Sequence, residues 1–279
     1  MSNRRNFIKT GIAGATISLL PSINLFAHDS QTNKRAKKLK LRFALASDGH
    51  YGQKDVNSDQ QFEDLLKWLN QDHEKNHLDF AIINGDIVHD RPDLLASVDQ
   101  KFFKRFKFPY YTLPGNHDHA DTDLWTKVFG YGYNYIFEKG NIGFVMGNTS
   151  NIKGEYLCPD NKFLKDSLEL YKDKKTIFVV LHIPPHQWLP EDTFYANCPD
   201  TIKILHEYPN VKATFHGHDH NIDGVRYTNK LPHFFDAHFG GNWGTSYMGY
   251  RIVEIDKDDH IYTYQVNASM NPTLNENTL

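Results

Sequence analysis

Short apolar runs recur along this chain, and most of them end abruptly in a polar cluster. Residues 39–47 alternate and then become wholly apolar, which predicts a buried strand. Phe62, Leu65, Leu66 and Leu69 fall at helical spacing and predict a helix over 59–76. A second strand is expected over 78–83, a helix over 93–106 and a third strand over 108–113. A hairpin is expected near 134–138 and 142–147, then a helix over 160–172 and apolar strands at 176–181 and 211–215. Between 224 and 267 only strand-like runs appear, such as 250–255 and 260–266 joined at Lys257-Asp258-Asp259. The first half therefore reads βαβαβ and the last part is β-rich, with no internal repeat. This order predicts an α/β fold of two layered sheets with helices outside.

Composition changes this picture in two places. The chain has 279 residues, enough for one large domain or two small ones, and its 16 histidines are an unusual share. Histidine is the commonest metal ligand and a frequent acid–base group. A formal charge of -3 argues against a dedicated nucleic-acid binder. Charge is unevenly placed, however. The segment Met1–Ala27 has Arg4, Arg5 and Lys9, no acidic residue, a short apolar run over 10–20 and Ala27 as a small residue for cleavage. Its form is that of an export signal, and its adjacent arginines resemble the twin-arginine type, which implies the bacterial periplasm and contact with the export machinery. The apolar run is too short for a stable membrane anchor. Without these residues the balance is 28 basic against 34 acidic groups. Residues 28–39 read as a polar, basic linker, 40–270 as one domain and 271–279 as a tail. Cys158 and Cys198, each in Cys-Pro-Asp, are either a disulfide or two unrelated loop thiols.

The polar clusters carry the chemistry. In chain order they are Asp48-Gly49-His50, Gly85-Asp86, Gly115-Asn116-His117-Asp118, His182, and His216-Gly217-His218-Asp219-His220. Each follows an apolar run, and in α/β folds ligands bind beyond the carboxyl ends of the strands. Five such ends can meet at one place. Glycines 49, 85, 115 and 217 would let the backbone turn tightly there.

The order D-x-H, G-D, G-N-H-D, H, G-H-x-H resembles that of the calcineurin-like metallophosphoesterases, over residues 40 to 255. The resemblance implies a four-layer αββα sandwich with two mixed sheets and a two-metal site. It implies that Asp48, His50 and His220 hold one metal, that Asn116, His182 and His218 hold the other, and that Asp86 bridges them. His117 would be the catalytic acid, oriented by Asp118. Mixed nitrogen and oxygen ligands suit Mn, Fe, Zn or Co better than Ca or Mg. Such a pair activates a shared water for in-line attack on phosphorus, and an imidazole suits protonation of the leaving oxygen.

The remaining polar residues near the motifs, His89, Asp90, His119, His186 and His216, are candidate substrate or supporting groups. Trp188, Phe194, Tyr195 and Trp243 are candidates for an aromatic wall, or for packing. Purple acid phosphatases carry a metal-binding tyrosine where this chain has His89, and lack the histidine of D-x-H; a purple site is not expected. Double-strand-break nucleases usually add a DNA-binding cap, for which this chain has neither the length nor a basic stretch. The nearest analogy is to bacterial class III cyclic-nucleotide and glycerophosphodiester phosphodiesterases. The expected reaction is hydrolysis of a small phosphodiester. A phosphomonoesterase or nucleotide pyrophosphatase is the alternative, with a non-catalytic binding module behind it.

Overall fold

The computed structural model describes residues 39–270 and 275–279. The expected signal and most of the expected linker lie outside them. Among the described residues, twelve strands form two six-stranded sheets. The first has the order β12-β11-β10-β1-β2-β3, with β1 Leu39–Ala46, β2 Phe80–Asn84, β3 Tyr110–Leu113, β10 Tyr250–Asp256, β11 Ile261–Val266 and β12 Glu276–Thr278. The second has the order β4-β5-β6-β7-β9-β8, with β4 Tyr135–Lys139, β5 Ile142–Gly147, β6 Thr176–Leu181, β7 Val211–His216, β8 Val225–Thr228 and β9 Leu231–Phe235. Strands β1, β2 and β3 are parallel to one another, as are β5, β6, β7 and β9. Antiparallel pairs flank these parallel runs, β10 beside β1, β4 beside β5 and β8 beside β9, so both sheets are mixed.

Side-chain alternation sorts the strands into layers. Phe43, Leu45, Phe80 and Ile82 of one sheet pack with Phe144, Phe178, Val180 and Phe215 of the other to form the central core. On its opposite face, the first sheet lays Ala44, Ala81 and Ile83 against Phe62, Leu65 and Leu69 of α1, Ser58–Asn76. The second lays Ile177, Val179 and Leu181 against Leu164 and Leu168 of α4, Asn161–Leu170, and Leu205 of α5, Pro199–Glu207. Central strands are thus apolar on both faces, which explains their unbroken apolar sequence. The result is the expected four-layer αββα sandwich. No helix among the described residues is long and apolar enough to cross a membrane.

Several local expectations change. The helix expected over 93–106 is divided into a 3₁₀ turn at Pro92–Leu94, α2 at Leu95–Lys101 and another 3₁₀ turn at Phe103–Arg105. Phe102 leaves the helical region with φ -122° and ψ -60°. Phe102 and Phe103, the two residues at that break, are both buried in the core. Two short helices were not foreseen. In α3, Thr122–Phe129, only Trp125 is buried, so little periodicity shows; its cap is Asp121, which accepts from the Leu124 N–H. In α5 the starting signal is Pro199 at the first helical turn. Nor is the expected tail wholly a tail, since Glu276–Thr278 pairs with β11. Cys158 and Cys198 form a disulfide, with Cα atoms 5.5 Å apart.

A histidine pair lies buried between β7 and β9. His216 Nε2 is 3.1 Å from His233 Nδ1, and the Thr214 hydroxyl sits within hydrogen-bonding distance of both rings. Burial lowers His233 well below 6.5 and His216 to about 3, so both stay neutral in the fold. The unfolded chain protonates them near 6.5, and so binds more protons below that pH. Their contribution to stability is therefore complete above pH 6.5 and is lost as pH falls. Lowering pH from 7 to 5 is expected to reduce the unfolding free energy, with a limiting slope below pH 6.5 of about 1.4 kcal/mol per pH unit for each such histidine. His233→Gln should make that dependence shallower; an unchanged slope in urea titrations would contradict it.

Candidate metal centre

Parallel strands point their carboxyl ends the same way, so the loops after β1, β2, β3, β6 and β7 meet at one edge of the sandwich. The backbone there is unusual. Asp48, His50, Asp86, Asp90, His119 and His218 all have positive φ, between 44° and 66°. Side chains with a Cβ tolerate this region poorly, at about 1–3 kcal/mol each, and such residues cluster at functional sites. Of the four glycines expected to make tight turns, only Gly85 has a positive φ, 82°. Gly115 serves space instead: a Cβ there would strike the Asp86 carboxylate. The sharpest turns thus belong to the functional residues themselves.

Two groups of donors result. Asp48, His50 and His220 have ligand atoms within 4.8 Å of one another, and so do Asp86, His182 and His218. All six residues are buried. His50 Nε2 and His220 Nε2 face each other at 3.0 Å. His220 Nε2 is 3.2 Å from Asp48 Oδ1, and His182 Nε2 is 3.2 Å from Asp86 Oδ2. Asp86 Oδ2 is also 3.7 Å from His50 Nε2, so this carboxylate faces both groups. Outer contacts fix the rings: His182 Nδ1 donates to the Asn84 carbonyl at 2.6 Å, which turns Nε2 toward the Asp86 carboxylate. His220 Nδ1 is held by the Trp243 carbonyl, and Asp48 accepts from the His218 N–H.

Asn116 Oδ1 and His218 Nε2 are buried at this edge without a hydrogen-bond partner, and His182 Nε2 faces only the carboxylates of Asp86 and Asp48. They are the three atoms expected to hold the second metal. Orphans of this kind are costly unless something outside the chain binds them. The donor set therefore fits a pair of cations.

The electrostatics agree. Burial would raise Asp48, but His220 and His182 outweigh it and hold it at about 2. Burial would likewise raise Asp86, yet His182 and His50 bring it well below 3.8. His182 feels the opposite balance; Asp86 and Asp48 overcome its burial and lift it to about 9. His218 is pressed to about 3 by burial. Among the described residues, the ion-pair partners of both carboxylates are histidines only.

His117 stands at the rim, with 30% of its side chain exposed and its ring 4.9 Å from that of His50. Its backbone N–H donates to Asp86 Oδ1. The expected partner of its ring needs correction. Asp118 is fully buried and accepts from the N–H groups of Val88 and Gly115, so it braces two loops and does not orient His117. Burial and Asp86 raise its carboxyl to about 7. Asp90 takes the orienting place: its Oδ1 lies 2.8 Å from His117 Nδ1 and 3.0 Å from His119 Nε2. His89 stacks on His117 at 4.7 Å and brings Nδ1 to 3.0 Å from His50 Nδ1. His216 packs behind the site against the Leu181 carbonyl, and His186 meets Trp188 outside both donor groups.

The aromatic candidates divide. Trp243 stacks on His220 at 4.3 Å, and Phe194 stands edge-on to His218 at 5.7 Å. Trp188 packs on His233 and Phe235, away from the donors, and no ring contact links Tyr195 to a ligand. Two contributors were missed. Tyr156 lies edge-on to His218 at 4.7 Å, with no motif to reveal it. His238 stacks on His220 at 5.0 Å and shares its loop with Trp243. That loop was legible, because β9 ends in Asp236-Ala237-His238, the same D-x-H pattern that follows β1. Asp236 itself pairs with buried Arg251.

Comparison with known proteins places this geometry. A 3',5'-cyclic-nucleotide phosphodiesterase of Nostoc sp. is 26% identical over 154 residues, 51% of this chain and 56% of that protein. A 3',5'-cyclic adenosine monophosphate phosphodiesterase of Haemophilus influenzae is 25% identical over 179 residues, 59% of this chain and 62% of that protein. The chain thus matches little more than half the length of these curated relatives. A dimetal phosphatase from Danio rerio shares the fold with a TM-score of 0.72 at 14% identity, over 86% of this chain and 98% of that one. The family model described as Calcineurin-like phosphoesterase matches residues 41–221, which contain every residue of both donor groups. The chain belongs to the calcineurin-like phosphoesterase family.

Proposed function

We propose that this protein is a metal-dependent phosphoric ester hydrolase that cleaves a small phosphodiester at a dinuclear centre. The observation that carries this reading is the pair of unpartnered, buried ligand atoms, Asn116 Oδ1 and His218 Nε2, beside His182 and around a carboxylate, Asp86, that also faces His50. When bound, two transition-metal ions supply Lewis-acid charge and an activated water. The chain does the rest. Asp48, His50 and His220 would hold one ion and Asn116, His182 and His218 the other, with Asp86 between them. His117, at the open rim, is placed to give a proton to the leaving oxygen from Nε2, because Nδ1 is engaged by Asp90. The cyclic-nucleotide activity named for the two relatives makes 3',5'-cyclic nucleotides the first substrates to test.

Export belongs to the same proposal. The signal expected over 1–27 lies outside the described residues, but the Cys158–Cys198 disulfide supports an oxidising compartment such as the periplasm. A small phosphoester remains the expected partner, with no dedicated nucleic-acid binding and no stable membrane anchor.

Two experiments test the reading. Chelated protein should be inactive on bis-p-nitrophenyl phosphate and should recover with Mn, Fe, Zn or Co but not with Ca or Mg. Elemental analysis should find about two ions per chain, and fewer in Asp86→Ala; full activity without metal sinks the proposal. His117→Ala should lower kcat by about 10²–10⁴ on an alkyl or cyclic-nucleotide ester. The loss should be smaller on a p-nitrophenyl ester, whose leaving group needs no proton. Asp90→Asn should show the same selectivity more weakly, while Asp118→Asn should chiefly lower the melting temperature. Equal losses on both ester types would remove His117 as the acid.

A further inference from the structure

The loops after β5 and β6 hold a feature that the metal chemistry does not use. Among the described residues nine large apolar side chains are exposed, and five of them lie on these two loops: Ile152, Tyr156, Leu157, Leu189 and Phe194. Apolar groups gathered in this way beside a reactive centre mark a place where something apolar is received. Two of the five have a defined relation to the site. The rings of Tyr156 and Phe194 both stand edge-on to the ligand His218, at 4.7 Å and 5.7 Å, and each residue is 40% exposed.

Neither ring is held by a large core of its own. The apolar cluster beneath this region comprises only Ile183, Ala196 and Cys198. What fixes the two loops to each other is covalent. The disulfide joins Cys158, two residues after Tyr156, to Cys198, four residues after Phe194. The Ile183 N–H adds a hydrogen bond to the Thr149 hydroxyl at 2.9 Å, across the same two loops. Phe194 also forms one wall of a cavity of about 230 Å³, whose other walls include Trp188, Asp219 and Arg226. An apolar face with polar groups at its edge suits a flat ring that carries hydrogen-bonding atoms.

We infer that Tyr156 and Phe194, clasped by the Cys158–Cys198 disulfide, form a subsite for a flat aromatic group of the substrate ester, of the nucleoside kind, next to the metal ligand His218. The inference rests on the phosphodiesterase reading above and adds the residues that receive the organic group of the ester. Tyr156 and Phe194 are specificity residues here; they hold the retained organic group and take no part in proton transfer.

The test compares two esters with the same leaving group, bis-p-nitrophenyl phosphate and methyl p-nitrophenyl phosphate, on full-length metal-loaded protein. Only the retained group differs. Phe194→Ala and Tyr156→Ala should each raise KM for the diaryl ester about tenfold, in line with the loss of one ring-stacking contact. The comparison is read as the ratio of the two KM values, so any change in kcat that the two esters share does not enter it. Tyr156→Phe should restore the wild-type KM, because the ring acts and not the hydroxyl. Equal changes on both esters, no change on either, or failure of Tyr156→Phe to rescue would overturn the inference. Folding is checked by the melting temperature, with Phe194→Leu as a milder variant. If wild-type protein hydrolyses neither ester, the phosphodiesterase reading falls, and the subsite is then judged by calorimetry with diphenyl phosphate against dimethyl phosphate. Tighter binding of the diphenyl ester that Phe194→Ala abolishes would sustain it; equal affinities would overturn it.

Discussion

Asp48 and Asp86 are ionised carboxylates at the ends of neighbouring strands, with 0% and 1% of their surface in water. Burying such groups costs several kcal/mol per ion unless opposite charge and hydrogen bonds compensate. Here the ion-pair partners are imidazoles alone, and the backbone N–H groups of His218 and His117 complete the hydrogen bonding. The same field that keeps the carboxylates ionised lifts His182 to about 9. Cations bound at this edge would supply positive charge in place of that proton. The loops are therefore built around a charge that the chain does not fully neutralise by itself.

This constraint explains the backbone. Parallel strands deliver five loops to one edge, but their spacing alone would not bring six ligand atoms within a few ångströms. The left-handed turns at Asp48, His50, Asp86 and His218 do so, and each is a residue whose side chain is a ligand candidate. Glycine at these positions would relieve the strain and remove the donor. The glycines instead occupy the adjoining positions, where another residue's functional group passes close by, as the Asp86 carboxylate passes Gly115. Local strain is thus tolerated where the packing of two sheets over-determines the loop.

The same logic separates what was legible in the sequence from what was not. Strand-end motifs could be read because each combines an apolar run with a polar stop, and both halves are local. The αββα layering could be read because its strands are apolar on both faces. The partner of His117 could not. Asp118 is adjacent in sequence, but its carboxylate is committed to the Val88 and Gly115 amides, while Asp90 arrives from another loop. Tyr156 is similar: its role depends on a disulfide partner forty residues away. Helix α3 escaped notice for a plainer reason, since a single buried tryptophan leaves no period to detect.

The site is also polarised, and this bears on how it can work. One side is acidic and wet: Asp90, with 54% of its side chain exposed, bridges His117 and His119. There a proton can be exchanged with solvent between turnovers without passing through the core. The other side, around His218, is apolar and covalently clasped. Trp243, stacked on His220, closes a third side. On the proposed reading, an edge with His117 on one flank and aromatic rings on another would tell the two ends of a phosphodiester apart. Orientation then follows from the surroundings of the buried donors, and the donors themselves need carry no information about the substrate.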